Sequence, residues 1–187
     1  MAEQLDRIVA ELRSAQERLH RLAQALPEEA WRRRPAPGHW SAAECVEHLN
    51  RTADAFIPLL HEVLELGRHV PAEAPRRFRR DALGWLLAAI MSAPSSLAHT
   101  RTTAPFDPSS APIAEPAELL RRFDERQQEL IACVEAGAGL PLDRLRVHSP
   151  FDPRIRYSLY SALVLLPRHQ ARHIAQAERA AVRAGAS

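Results

Sequence analysis

Apolar residues in the first part of the chain recur at Leu5, Ile8, Val9, Leu12, Ala15, Leu19, Leu22, Ala23 and Leu26. This alternation of three- and four-residue steps gathers them into one stripe on an α-helix and predicts a first helix over residues 5–26. Pro27 and the cluster Pro35, Pro37, Gly38 end it, and Ser41-Ala-Ala-Glu44 then reads as a capping box opening a second helix. The stripe of that helix is centred on Leu49, Ala53, Phe56 and Leu60, and Gly67 is read as its C-terminal cap. A shorter third helix is predicted over 81–93, around Trp85, Leu86, Leu87 and Ile90.

Residues 94–116 are rich in Pro, Ser, Thr and Ala, a connection of a length that is uncommon unless it covers a site or forms a slack crossover. A fourth helix is predicted over 117–135, with Leu119, Leu120, Phe123, Leu130, Ile131 and Val134 inward and Gly137 and Gly139 as its stop. A turn at 148–153 precedes a last helix over 156–183, whose inward stripe is Leu159, Leu163, Leu166, Gln170, Ile174 and Ala177. No internal repeat and no β-rich run is evident. The expected architecture is all-α: a four-helix bundle with a long crossover connection and one additional short helix, in a single domain over residues 1–187.

Composition narrows the partners. With 46% hydrophobic and 26% charged residues the chain reads as globular. No segment approaches the ~18 uninterrupted apolar residues of a membrane span, so no membrane is expected. The first residues lack the basic start and apolar block of a secretory signal, and Cys45 and Cys133 are too few for a disulfide scaffold. A cytoplasmic location is therefore expected. All basic residues are arginines and the formal net charge is only +2. The densest run, Arg76, Arg77, Arg79 and Arg80, reads as a solvated helix start, and with no nucleic-acid fold signature no nucleic-acid partner is expected.

Candidate chemistry centres on the last helix, where His169 and His173 stand four residues apart and their side chains can share one ion. His173 falls within the inward stripe and His169 on its shoulder. Imidazoles beside leucines need hydrogen bonds or a metal, although this spacing alone fits ordinary core or surface histidines too. A third ligand must come from another helix, and His48 is the best candidate. It lies two turns inside the capping box, about 10 Å down the second helix, to one side of the apolar stripe.

Neighbouring residues admit more than one reading. Glu44 is a capping carboxylate or an outer partner orienting His48; Cys45 is a soft fourth ligand, a reactive thiol or a small buried hydrophobe. Pro167 should bend the last helix just before His169. Trp31, Trp40 and Trp85 read as core anchors rather than substrate-stacking residues, and Arg172 is turned away from the site. His20, His39, His61, His69, His99 and His148 have no partner at ligand spacing and read as solvated.

The stretch Pro37-Gly-His-Trp40-Ser41-Ala-Ala-Glu44-Cys-Val-Glu-His48-Leu49, taken with the ending His169-x3-His173-x-x-Gln176, resembles the DinB/YfiT-like superfamily. The matches frame residues 37 to 179. The resemblance implies a divalent metal, usually nickel or zinc, held by the histidine of the second helix and the two of the last: here His48, His169 and His173. It further implies either a metal-dependent hydrolase or a low-molecular-weight-thiol S-transferase acting on a small electrophilic substrate. A non-catalytic, stress-related homodimer with a structural or adventitious metal is the alternative, and a homodimer is expected in either case. Three neutral nitrogen ligands leave a coordination position free, as in catalytic zinc sites, but the ligands do not choose between hydrolysis and thiol transfer.

Overall fold

A computed structural model describes residues 2–71, 77–92, 104–110 and 112–185. Its helices are α1 (Ala2–Ala25), α2 (Glu28–Trp31), α3 (Ala42–Arg68), α4 (Ala82–Ser92), α5 (Pro116–Ala136) and α6 (Leu159–Gly185). Single 3₁₀ turns cover Ala104–Phe106 and Pro108–Ser110, and a two-stranded hairpin, β1 (Arg146–His148) with β2 (Arg156–Ser158), precedes α6. The fold is all-α. Both α1 and α3 pack against α5 and α6, while α4 lies along α6.

The predicted stripes are the surfaces that meet. Leu5, Ile8, Leu12, Ala15 and Leu19 of α1 are buried, as are Leu49, Ala53, Phe56 and Leu60 of α3 and the whole inward set of α6. Each fully buried leucine contributes about 1.5–3 kcal/mol by leaving water. On α5, Leu119, Phe123, Leu130 and Val134 are buried, whereas Leu120 and Ile131 are half-buried and Gln127 sits in the core.

The start of α3 fixes the register of the site. Ser41 Oγ accepts from the Glu44 amide at 3.2 Å, and Glu44 Oε2 accepts from the Ser41 amide at 2.8 Å, completing both arms of the capping box. Every residue from Ala42 to Asn50 is buried. The helix outlasts Gly67, which is helical and packs so closely that a Cβ there would meet Leu145 Cδ1 at 2.6 Å. Gly67 is therefore a close-packing residue, and the C-cap is His69.

A short hairpin accompanies the helices and leaves the fold all-α. Its register pairs Arg146 with Ser158, Val147 with Tyr157 and His148 with Arg156, and the predicted turn at 148–153 is its connection. Three-residue strands are too short for an alternating pattern to register. The last helix accordingly begins three residues later than predicted, where Ser158 Oγ accepts the Ser161 amide at 3.1 Å and caps it.

Trp85 also departs from expectation: it is 60% exposed, beside Leu86 at 50%, because α4 turns Gly84 and Ala88 toward the core. Arg77 and Arg79 are exposed but precede the helix, whose first residue is Ala82; Arg76 lies outside the described residues. Of the 94–116 connection, 94–103 and 111 lie outside the described residues, and His99 with them; the 3₁₀ turns that follow pack on α3. No helix among the described residues is long and apolar enough to cross a membrane.

Candidate metal centre

His48 from α3 meets His169 and His173 from α6, with ring centroids 5.1 Å and 4.4 Å from His48 and 4.5 Å between the α6 pair. One ligand atom from each lies within 4.8 Å of the others, so the group can hold a metal ion. The two α6 rings converge because four residues make about one turn, which places them one above the other. Both sit on the shoulder of the helix and are partly exposed, with Ile174 taking the buried stripe position.

His48 is 2% exposed although it lies off the centre of the α3 stripe. The 3₁₀ segment supplies the missing cover: the Phe106 carbonyl oxygen stands 2.8 Å from His48 Nδ1. A carbonyl only accepts, so Nδ1 carries the hydrogen and Nε2 presents a lone pair. That Nε2 lies 3.2 Å from His169 Nε2. Two nitrogens bound tetrahedrally at the usual 2.0–2.1 Å would stand about 3.4 Å apart, so the spacing fits a shared divalent ion. On His173, Nδ1 donates to Gln176 Oε1 at 3.1 Å, again leaving Nε2 as the coordinating atom.

Electrostatics keep the donors neutral. Burial lowers the pKa of His48, although Phe106 and Asp107 act in the opposite sense. Desolvation, with His48 and Arg172, pushes His169 down to about 3. Desolvation and the other two rings hold His173 well below the ordinary imidazole range. At neutral pH all three therefore offer nitrogen lone pairs.

Aromatic rings enclose the cluster. Trp40, half-buried, stands 5.0 Å from the His48 ring and 5.9 Å from His173, so it lines the site as well as anchoring the start of α3. Trp31 is a buried core anchor. Phe151, from the hairpin turn, lies 6.1 Å from His169 and 4.5 Å from Phe106. These two phenylalanines occupy identical tetrapeptides, Pro-Phe-Asp-Pro at 105–108 and 150–153. In both, the aspartate Oδ1 accepts the amide two residues on, at 2.9 Å from Ser109 and 3.0 Å from Arg154. Sequence reasoning named neither phenylalanine as a site residue, and the shared tetrapeptide is a local mark too short to count as a repeat.

Other candidates resolve differently. Glu44 serves the cap and pairs with Arg34; burial raises its pKa, but Arg34 and Ser41 outweigh that and hold it below the usual range. Cys45 is fully buried, outside the convergent group, and desolvation beside Glu44 raises its thiol far above the ordinary value. It is a small core residue. Arg172 bonds the Ile90 carbonyl at 3.4 Å. His39, His61, His69 and His148 are exposed, whereas His20 pairs with Asp124 at 2.9 Å.

Comparison with curated proteins and with solved structures finds no match. The model of the DinB superfamily, however, matches residues 11–177, a span that contains α3, the part of α6 up to Ala177 and all three histidines. A helical fold, a convergent three-histidine group and a match over most of the chain agree, and the protein belongs to the DinB superfamily.

Proposed function

We propose that His48, His169 and His173 bind one divalent transition metal, nickel or zinc, and that the protein is a metal-dependent hydrolase or low-molecular-weight-thiol transferase acting on a small electrophile. The observation that carries this reading is the convergence of three neutral imidazoles, two of them held by Phe106 and Gln176 with Nε2 left to coordinate. A metal held by these three residues would supply the Lewis acidity that makes water or a thiol nucleophilic near neutral pH. The chain's own contribution is orientation and shelter: Trp40 and Phe151 flank the rings, limit water and offer apolar surface to the body of a substrate.

The test is a rate measurement on zinc- or nickel-loaded protein, with an aryl ester in one arm and a small thiol plus an alkylating electrophile in the other. Turnover in one arm that stops on chelation and returns with metal is expected. Equal rates with and without chelator would remove the metal from the reaction.

A second reading, a non-catalytic homodimer with a structural metal, draws on the exposed Trp85 and Leu86 of α4, apolar surface that a second copy would cover. It predicts metal-dependent thermal stability with no turnover in either arm, and a dimer that Trp85→Glu dissociates.

A further inference from the structure

The carbonyl that orients His48 is a backbone atom 58 residues away, so the ring is only as well placed as the segment carrying that carbonyl. The Phe106 side chain is buried against Phe151, which anchors one side. The other side is held by Arg51, one turn beyond His48 on α3, whose Nη1 donates to the Asp107 carbonyl at 2.8 Å. Two successive carbonyls of the 3₁₀ segment, those of Phe106 and Asp107, are thus gripped by two side chains of a single helix.

Arg51 is itself fixed. Its Nε donates to Glu47 Oε1 at 2.8 Å, and the other oxygen of Glu47 accepts from Arg122 of α5 at 3.1 Å. Glu47 is buried, and such a carboxylate is retained only when paired, as it is here on both oxygens. A guanidinium is a planar fork, able to bond a carboxylate and a carbonyl at once, which an ammonium on a flexible stem does less well.

We propose that Arg51 is a positioning residue of the metal centre: by holding the Asp107 carbonyl it fixes the Phe106 carbonyl, which sets the His48 ring with Nε2 toward the ion. This inference rests on the metal-binding reading above. It also makes docking of residues 104–110 and metal binding mutually reinforcing, since coupling between two events acts equally in both directions.

Charge and position predict opposite signs. The cationic Arg51 opposes positive charge at His48, so on charge alone its removal would tighten metal binding. Loss of position would weaken it, by about tenfold, the low end of the 10- to 100-fold range for partners outside the ligands.

The experiment is calorimetric titration of the full chain with zinc, for wild type, Arg51→Met, Arg51→Lys and Glu47→Gln, with hydrogen exchange over residues 104–110. Arg51→Met is expected to bind zinc about tenfold more weakly, with Arg51→Lys intermediate. Zinc is expected to slow exchange in 104–110 in wild type and to do so less in Arg51→Met. Should Arg51→Met fail to fold, Glu47→Gln, which keeps the shape of the pair, is expected to shift affinity in the same direction. Wild-type affinity or tighter binding in a folded Arg51→Met, or in Glu47→Gln when only that variant folds, overturns the inference while leaving the metal site standing. No zinc binding by wild type overturns both.

Discussion

Two polar clusters interrupt the inward side of α6 within a single turn. Gln170 reaches Gln127 of α5, and the two amides bond reciprocally: Gln127 Nε2 to Gln170 Oε1 at 3.1 Å and Gln170 Nε2 to Gln127 Oε1 at 2.7 Å. Gln127 also donates to the Leu12 carbonyl at 2.5 Å, so this cluster ties α1, α5 and α6 together and supplies its own partners. The histidine cluster has one bond between its own rings, at 3.2 Å between His48 Nε2 and His169 Nε2. With Phe106 and Gln176 holding the Nδ1 hydrogens of His48 and His173, only His169 can carry a hydrogen on Nε2 among the three neutral rings. A buried polar group that completes its own hydrogen bonds is a structural device; one that gathers lone pairs is a site for an electron-pair acceptor.

The contrast can be broken by substitution, and the glutamines should respond most in stability. Gln127→Leu alone leaves the Gln170 amide without its partner, and a loss of about 1–3 kcal/mol in unfolding free energy is expected by denaturant titration. The double variant Gln127→Leu with Gln170→Leu should recover most of that loss, because removing both partners together leaves no orphan. Zinc affinity should stay within a factor of two in a folded double variant. A tenfold drop would show that the amide pair supports the site.

Gln176 bears on the histidine cluster alone. Gln176→Leu removes the acceptor for His173 Nδ1 and should weaken zinc binding about tenfold, near 1.4 kcal/mol, while Gln176→Glu, which keeps an acceptor, should not. Calorimetry reads the affinity and apo-protein unfolding the stability; a variant that loses stability without losing affinity would make Gln176 a residue of the fold and not of the metal centre.

What the sequence makes legible follows from range. The helices are local, and the stripes through Leu12, Leu60 and Leu163, with the Ser41–Glu44 box, identify them without tertiary knowledge. The pairing of His169 with His173 is equally local. His48 lies off its stripe, and what buries it is a backbone carbonyl from a distant segment, which carries no side-chain signature. Phe151 reaches the site on a hairpin whose strands are three residues each, below the length at which alternation is readable. The exposure of Trp85 depends on which side of α4 meets α6, and an almost uniformly apolar helix does not declare that.

Whether the three imidazoles share one ion is read by zinc titration of the folded apo-protein, wild type beside His48→Ala, His169→Ala and His173→Ala, each checked for helical content. One ion per chain is expected in the wild type, with loss of that stoichiometric site in every variant whose helices stay intact. A wild type that takes up no ion, or three variants that bind as the wild type does, would contradict a shared ion.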